Sequence, residues 1–255
     1  VTMALELYHL DHSTCSQKVR ICLAEKGIEW TSCPVDLSGR ENLSPEYMAI
    51  NPNGVVPAFV HDGTPIIEST VMCEYLDEVW PDEPRLSPDD PKKRAEMRAW
   101  LRFIDEVPSM AVRVPSFQNV FLDRFKAMSV EEYVAFRESN TLRRDFFMRM
   151  NHTGFSDDEY ENAMLQLRAT VERMEEALSR EGPWLVGAQF TIADICVAPL
   201  FERMEELSLS YMWDDAPAVT DWFARIRARP SFETAFYPGA RLGDVYPQLR
   251  EKAKS

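Results

Sequence analysis

The 255-residue chain lacks a long hydrophobic run. No apolar stretch approaches the roughly 18 residues that a membrane-spanning helix requires. The chain also does not open with the basic, then apolar, then small-residue pattern of a secretory signal. The sequence therefore predicts a cytoplasmic protein that has no membrane partner.

Basic residues are also in short supply. The chain has 28 lysines and arginines against 42 aspartates and glutamates, and its formal net charge is -14. Nucleic acids and anionic membrane surfaces are bound by clustered basic residues, so the charge balance argues against both partners. Any anionic small ligand must be held by local donors against an unfavourable overall field.

Cysteine and histidine are too few and too scattered for a disulfide framework or a metal centre. The five cysteines (Cys15, Cys22, Cys33, Cys73 and Cys196) are odd in number, widely spaced and without a CxxC pair. This usage is typical of a reduced, cytoplasmic protein, in which all of them except Cys15 are interpreted as buried apolar side chains. The four histidines form no ligand cluster, so no metal is expected.

The first 80 residues alternate between strand and helix patterns. The alternating segment 4–10 is strand-like, and segment 15–27 has apolar residues at helical spacing. A strand (28–37), a short helix (44–50), a hairpin around Asp62-Gly63 and a helix from Ser69 follow. This βαβαββα order predicts a thioredoxin-like domain over residues 1–80, with a mixed sheet and helices on both faces.

Residues 81–91, "PDEPRLSPDDP", are rich in proline and acidic residues, which disfavour both helix and sheet. We interpret this segment as an interdomain linker. From Lys92 onward the apolar residues recur with helical periodicity and strand signals vanish. The predicted fold class is α/β plus all-α, with a helical bundle domain over residues 92–255.

Three sequence features converge on one edge of the predicted sheet, where helix N-termini present free N–H groups to ligands. They are the turn at residues 13–16, Val56-Pro57 at a strand entrance, and Glu68-Ser69 at the start of a helix. A cis bond before Pro57 would leave the Val56 backbone free to pair with an extended peptide. Ser69 suits a carboxylate and Glu68 an ammonium. Glutathione has an amino-acid head, an extended body and a thiol, and it fits all three.

Three segments, "NPNGVVPAFV", "IIESTVMCEYL" and "FTIADICVAPL", resemble markers of the glutathione transferase superfamily. The resemblance implies a cis-proline turn at Pro57, a γ-glutamyl site at Glu68-Ser69 and a capping box from Thr191 to Asp194. It implies glutathione as co-substrate, and a homodimer or a heterodimer with a related subunit. Asn42 occupies the position where some related classes bind the glycine end.

Segment 50–100 and the long insert at about 108–155, with "MSVEEYVAFRES" and "MNHTGFSDDEY", are similar to the bacterial β-etherases. Those enzymes use glutathione to cleave the β-aryl ether bond of lignin-derived aromatics. The insert is dense in large apolar side chains, which predict an apolar wall for a hydrophobic aromatic substrate. They are Phe117, Phe121, Phe125, Tyr133, Phe136, Phe146, Phe147 and Phe155, with Met110, Met128, Met148 and Met150.

The turn at residues 13–16 leaves the chemistry open. Capping of the following helix by Ser13, Thr14 or Cys15 is expected. A hydroxyl there, for which Ser16 is favoured and Ser13 is a neighbour, is predicted to hold a glutathione thiolate with help from the helix dipole. Alternatively, Cys15 forms a mixed disulfide with glutathione.

The resemblance supports each of these alternatives in part. "STCSQKVR" resembles the turn of glutathione-dependent reductive dehalogenases and zeta-class isomerases, whereas the β-etherases carry an amide residue where Cys15 stands. Because glutathione transferase folds also serve as structural subunits, a non-catalytic partner in a heterodimer is a third hypothesis. His12 is a candidate to assist either reaction, but the favoured interpretation is an exposed histidine of the turn. Lys18 and Arg20 are interpreted as exposed side chains on the helix surface.

Overall fold

Four short strands form a mixed sheet in the N-terminal part of the computed structural model, which describes residues 4–82 and 84–249. The strand order is β2-β1-β3-β4, with β1 parallel to β2, and with the β1–β3 and β3–β4 pairs antiparallel. This arrangement confirms the predicted thioredoxin-like fold. The strands are β1 (Leu5–His9), β2 (Thr31–Pro34), β3 (Ala58–His61) and β4 (Thr64–Ile66).

Three helices cover the sheet: α1 (Thr14–Glu25), α2 (Pro45–Ile50) and α3 (Ser69–Val79). Alternate residues of β1 point to opposite faces. Leu5 and Leu7 therefore join the main core with α1 and α3, while Tyr8 packs in the smaller cluster that includes Tyr47 of α2. The sheet is thus buried on both sides, as the pattern predicted.

The turn between β3 and β4 has the conformation expected for a two-residue hairpin. Asp62 and Gly63 have φ angles of 48° and 79°. A type I′ turn requires positive φ at both central positions, which Asp-Gly tolerates at low cost. The peptide bond between Val56 and Pro57, just before β3, is cis, as the resemblance implied.

The rest of the described chain is helical, which confirms the second part of the fold class. No helix in residues 4–82 and 84–249 is both long enough and apolar enough to cross a membrane. A π-helical turn at Phe117–Phe121 and 3₁₀ turns at Glu41–Leu43 and Ser210–Trp213 complete the elements. The helices are α4 (Pro91–Glu106), α5 (Pro108–Ala111), α6 (Arg113–Ser116), α7 (Leu122–Lys126), α8 (Val130–Ser139), α9 (Arg144–Met150), α10 (Asp157–Glu181), α11 (Ile192–Glu206), α12 (Pro217–Arg227), α13 (Pro230–Ala235) and α14 (Leu242–Val245).

Helix α11 forms the centre of the helical part, and its capping box is present. The Asp194 carboxylate accepts the N–H of Thr191 at 3.0 Å, the N–H of Leu185 at 3.0 Å and the indole N–H of Trp222 at 2.9 Å. All these groups are buried. A buried carboxylate is costly unless it is hydrogen-bonded, and these three hydrogen bonds satisfy that of Asp194. Asp194 therefore fixes the positions of Thr191, Leu185 and Trp222 around the start of α11, which is a structural role.

Helix α1 is enclosed by both parts of the molecule, since it packs against α3, α11 and α13. Lys18 is fully buried and Arg20 is 2% exposed, so the interpretation of these two residues as exposed was wrong. The Arg20 guanidinium donates to the carbonyl oxygens of Asp11 at 2.6 Å and Ala235 at 3.2 Å. The buried Arg20 of α1 is therefore hydrogen-bonded to carbonyl oxygens of both parts of the molecule.

The segment between α3 and α4 is anchored rather than loose. The Asp77 carboxylate is buried, and it accepts the N–H of Leu86 at 2.9 Å, the N–H of Ser87 at 2.8 Å and the Lys26 ammonium at 2.8 Å. Leu86 is itself buried in the core. A single carboxylate therefore ties the described residues of 81–91 to α1 and α3.

We predict that Asp77→Ala lowers the free energy of unfolding by about 3–5 kcal/mol. The substitution removes the counter-ion of the buried Lys26 ammonium, which keeps only its hydrogen bonds to the Asp82 and Pro84 carbonyls, and it leaves two N–H groups without an acceptor. The measurement is a urea unfolding curve, with Glu78→Ala as the control because the neighbouring Glu78 side chain is 71% exposed. Equal midpoints for the two variants would contradict the prediction.

The same carboxylate makes stability depend on pH. Burial raises the pKa of Asp77, but the Lys26 ammonium and the N–H groups outweigh burial and hold this pKa below its ordinary value of 3.8. The contribution of Asp77 is therefore present above that value and is lost as the pH falls through the lower pKa of the folded state.

Candidate active site

The turn between β1 and α1 forms the floor of a cleft between the two parts. Ser13 is the N-cap of α1, and its hydroxyl oxygen accepts the Ser16 N–H at 3.3 Å. The expected capping by one of the turn residues is confirmed. Ser13 and Thr14 face one cavity of the cleft, and Cys15 faces two.

Ser16 lies beneath this turn rather than in the cleft. Its side chain is fully buried, and its hydroxyl oxygen is 3.4 Å from the Leu10 N–H, which donates to it. Ser16 lines neither cavity, whereas the half-buried Cys15 lines both. Within the first turn of α1, the structure thus brings the thiol of Cys15, and not the hydroxyl of Ser16, to the surface of the cleft.

The first of the two cavities has a volume of about 330 Å³ and is here called the polar cavity. Its walls join the Val56–Pro57 turn, the start of α3 and the region of α4 to α6. The lining residues are Cys15, Val55, Val56, Pro57, Glu68, Ser69, Asp105, Ser109, Met110, Arg113, Leu142, Arg143, Asp145, Phe146 and Arg149. The predicted glutathione-site residues Val56, Pro57, Glu68 and Ser69 therefore share one cavity.

Glu68 has an unusual backbone conformation, with φ of 70° and ψ of 115°. A positive φ is uncommon for a residue other than glycine and costs free energy, so it persists where surrounding structure enforces it. The Glu68 side chain is exposed and accepts the amide of Asn53 at 3.1 Å. Ser69 begins α3, where the first N–H groups of the helix lack intrahelical acceptors.

The second cavity, also of about 330 Å³, is lined by aromatic rings and is here called the aromatic cavity. Asn42 lies at its edge, buried, with its amide donating to the carbonyl of Gly54 at 2.6 Å. The lining residues are Leu10, His12, Ser13, Thr14, Cys15, Asp36, Leu37, Ser38, Asn42, Gly54, Val55, Val56, Val112, Arg113, Ser116, Phe117, Phe121, Arg124, Phe125, Phe136, Asn140, Arg143, Phe147, Arg203, Val245 and Tyr246.

The aromatic residues of the insert divide between this wall and the core. The rings of Phe117, Phe121, Phe125, Phe136 and Phe147 line the aromatic cavity, as the predicted apolar wall requires. By contrast, Tyr133, Phe155 and Met150 are buried in the core, Phe146 and Met110 line the polar cavity, and Met148 is exposed. The π-helical turn places two of the wall residues, Phe117 and Phe121, with their rings 5.2 Å apart.

An ion pair between the buried Lys18 and the partly exposed Asp105 underlies Cys15. The Lys18 ammonium donates to the Asp105 carboxylate at 3.0 Å and to the Ser109 hydroxyl at 3.4 Å, and the Thr70 hydroxyl donates to the same carboxylate at 2.7 Å. Burial disfavours the charged ammonium, but Cys15 and Asp105 outweigh burial and raise the pKa of Lys18. A positive charge is therefore held one helical turn from the Cys15 thiol.

The surroundings of Cys15 favour its thiolate. Burial raises the pKa of this thiol, but the charges of Lys18, Arg113 and Arg143 outweigh burial and the opposing Asp105, so the pKa is lowered from its ordinary value of 9.0. A thiolate is the reactive form in thiol–disulfide exchange. The site therefore has the charge distribution needed to hold an anionic sulfur.

His12 is half-buried in the aromatic cavity, so the interpretation of it as an exposed histidine was wrong. Burial and the Arg203 guanidinium lower the pKa of His12 to about 4. Its imidazole is therefore neutral at physiological pH and cannot supply a positive charge.

No sequence pattern pointed to the arginines that line the cleft, notably Arg113 and Arg143. Both belong to the insert, in "AVRVPS" and "NTLRRDFF", which carry no recognised motif. Their position depends on the packing of the short helices that precede or follow them. Within residues 4–82 and 84–249, no group of histidine, cysteine, aspartate and glutamate side chains is placed to hold a metal ion.

Residues 12–79 match the glutathione S-transferase N-terminal domain, and residues 140–230 match the glutathione S-transferase C-terminal domain. The chain belongs to the glutathione S-transferase family.

Among individual proteins, the chain is similar to Protein LigF of Sphingobium sp. strain SYK-6, with 33% identity over 257 residues, 98% of this chain and 99% of the relative. The crystal structure of beta-etherase LigF from that strain has a TM-score of 0.81 at 32% identity and covers 91% of this chain and 98% of that chain.

Two further relatives have other activities in their names. The tetrachloro-p-hydroquinone reductive dehalogenase of Sphingobium chlorophenolicum is 24% identical over 242 residues, 91% of this chain and 95% of the relative. The maleylacetoacetate isomerase of Mus musculus is 30% identical over 205 residues, 80% of this chain and 79% of the relative.

We predict that Lys18→Met raises the pKa of Cys15 by roughly one unit, because a nearby opposite charge that favours the thiolate is removed. Asp105→Asn should lower this pKa, because it removes a negative charge that opposes the thiolate. The measurement is the pH dependence of iodoacetamide labelling at Cys15, read by mass spectrometry of the Cys15 peptide.

The exposed Lys92 supplies the control, since Lys92→Met removes the same charge outside the cleft. Circular dichroism checks that each variant is folded. If the two variants at the ion pair shift the pKa in the same direction, or not at all, the electrostatic account of Cys15 is wrong.

Proposed function

We propose that the protein is a glutathione transferase that cleaves β-aryl ether bonds of lignin-derived aromatic ketones. The observation that carries this proposal is the meeting of two cavities at the N-terminus of α1. One is polar and has the groups that suit a peptide with a charged head, and the other is lined by phenylalanine rings. The similarity to beta-etherase LigF along nearly the whole chain supports this choice of reaction.

In this proposal the polar cavity holds glutathione. The γ-glutamyl carboxylate binds the Ser69 hydroxyl and the free N–H groups at the start of α3, and the γ-glutamyl ammonium binds Glu68. The Val56 backbone pairs with the extended cysteinyl part, as an added strand would. This arrangement puts the glutathione sulfur near the α1 turn. Asn42 lines the aromatic cavity and not the polar one, so a contact between Asn42 and the glycine end requires that end to extend into the aromatic cavity.

The α1 turn then stabilises the glutathione thiolate through the helix dipole and the charges of Lys18, Arg113 and Arg143. Ser13, Thr14 and Cys15 are the side chains of the turn that can donate to the sulfur from the cleft. Ser16, whose hydroxyl accepts the Leu10 N–H, acts as a positioning residue that holds the turn in place. This assignment departs from the prediction of Ser16 as the thiolate-holding group.

In the reaction, the thiolate attacks the carbon that bears the aryloxy group, α to the ketone. A carbon–sulfur bond forms as the carbon–oxygen bond breaks, and the bonding electron pair leaves on the oxygen as a phenolate. The products are a glutathione thioether of the ketone and a phenol, once the phenolate takes a proton from solvent. The aromatic cavity binds the rings of the substrate.

A second candidate function follows from Cys15 itself. A half-buried thiol with a lowered pKa at the junction of the two cavities suits a mixed disulfide with glutathione, as in reductive dehalogenation or thiol transfer. The similarity to a reductive dehalogenase supports this alternative, and the similarity to an isomerase supports glutathione-dependent isomerisation.

One experiment separates the two functions. The purified protein is incubated with glutathione and a β-aryl ether ketone, and the products are identified by mass. We expect a thioether and a free phenol. Cys15→Ser should retain most of this activity if the turn only stabilises the glutathione sulfur.

Loss of activity in Cys15→Ser, together with a glutathione adduct on Cys15 of the wild type, would establish the disulfide chemistry instead. Cys33→Ser is the matched control, since Cys33 is half-buried on β2 and lines neither cavity. A protein that binds no glutathione would be a structural subunit.

We also propose a dimer, because the resemblance implies one. The faces of α3 and α4 beside each other offer a candidate surface, where Val71 and Val79 are 51% and 37% exposed. Arg98 of α4 pairs with Glu74 of α3 at 2.8 Å on this side. The partner is an identical or related subunit.

We predict that Ser69→Ala weakens glutathione binding by about 1–3 kcal/mol, because a carboxylate loses a charge-assisted hydrogen bond in a largely buried place. Isothermal titration measures the dissociation constant. Ser179→Ala on the exposed side of α10 is the control, and a Ser69→Ala constant equal to that of the control would remove Ser69 from the site.

A further inference from the structure

The charge of the aromatic cavity is opposite to that of the protein. The chain has a net charge of -14, yet the charged residues that line this cavity are the arginines at 113, 124, 143 and 203 and a single carboxylate, Asp36. An uncharged aromatic ligand does not need a positively charged cavity. In a protein with more acidic than basic residues, a cavity with four arginines and one carboxylate is also not expected from the composition. The cavity is therefore built to meet negative charge as well as aromatic rings.

Two of these arginines are already engaged by the protein. Arg203 lies 3.6 Å from the Glu206 carboxylate, and its guanidinium also donates to the His12 carbonyl. Arg124 lies over the ring of Phe125, with its guanidinium carbon 4.8 Å from the ring centroid. These two arginines therefore hold the walls of the cavity together.

Arg113 and Arg143 differ because neither forms an ion pair within residues 4–82 and 84–249. Arg113 contacts the Met110 sulfur at 2.7 Å. Both side chains are half-buried, and both line the two cavities where these meet at Cys15. Burial and the Arg113 guanidinium outweigh the opposing charges of Cys15 and Glu68 and lower the pKa of Arg143 to about 9, so the Arg113 charge disfavours that of Arg143. An anion between two such groups would relieve this repulsion.

We propose that Arg113 and Arg143 form an oxyanion site, so that the aromatic ligand of this cavity carries a carboxylate or a comparable oxyanion. The inference rests on the proposed function only in taking the aromatic cavity as the site of the second substrate. Guanidinium groups bind a carboxylate through paired N–H donors, which fixes the orientation of the ligand as well as its charge. The site lies beside the sulfur position, and the γ-glutamyl site at Glu68-Ser69 is formed by other residues of the polar cavity.

The test compares two probes of nearly equal shape, 4-phenoxybenzoate and 4-phenoxybenzamide, by isothermal titration into the full chain. We expect the wild type to bind the acid at least about tenfold more tightly than the amide. Arg143→Gln and Arg113→Gln should each reduce this preference to about two- to threefold, mainly by weakening binding of the acid. Arg143→Lys should recover part of the preference, because it restores the charge without the paired donors.

Arg144→Gln is the matched control, because Arg144 is adjacent in sequence, is exposed and pairs with Glu138 at 2.6 Å outside both cavities. Its acid preference should equal that of the wild type. Equal binding of acid and amide by the wild type, or a full preference in both arginine-to-glutamine variants, would overturn the proposal.

Glutathione provides an independent readout. The acid should still bind when the protein is saturated with glutathione, and displacement of one by the other would assign the arginine pair to glutathione and overturn the proposal. Absence of glutathione binding would contradict the proposed function alone, since the preference for acid over amide is measured without glutathione.

Discussion

The ion pair between Lys18 and Asp105 is the interaction on which the site depends. It joins α1, which packs on the sheet, to α4 of the helical part, with 3.0 Å between Nζ and Oδ1 and a fully buried lysine. An unpaired ammonium in this place would be strongly unfavourable, so the two parts are held in one relative position. The same ammonium lies below the first turn of α1 and favours an anionic sulfur above it.

The charge of the cleft operates over a short range. The net charge of -14 repels anions at a distance, and that repulsion is screened by salt over about 8–10 Å. The half-buried Arg113 and Arg143 in the cleft, and the fully buried Lys18 beneath it, act where screening is weaker and each charge has a larger effect. Selection of an anionic ligand is therefore a local property of the cleft and does not arise from the overall field of the protein.

Local patterns predicted the parts of the structure that depend on local physics. The Asp62-Gly63 hairpin, a cap for α1 from Ser13, Thr14 or Cys15, and the capping box of Thr191 with Asp194 involve residues close in sequence. All three are present, and the cap is Ser13. The alternation of helices and strands likewise predicted the two-part fold. Glu68 and Ser69, which we propose bind glutathione, follow directly from the end of the hairpin, and the structure places them in one cavity with Val56 and Pro57.

Predictions that required tertiary contacts fared worse. Lys18 and Arg20 look like surface residues of a helix, but α11 and α13, far along the chain, enclose them. Ser16 and Cys15 are neighbours, and the direction of each side chain depends on where the first turn of α1 meets the cleft. Arg113 and Arg143 come together only through the packing of short helices that have no sequence motif.

The central claim is that the α1 turn holds glutathione as a thiolate between the two cavities. The most direct measurement is a pH titration of bound glutathione labelled with ¹³C at the cysteinyl Cβ, whose NMR shift reports ionisation of that sulfur alone. We expect the pKa of the glutathione thiol to fall by at least about one unit on binding, because the helix dipole and three nearby cations favour the thiolate. An unchanged or raised thiol pKa in the complex would contradict this claim.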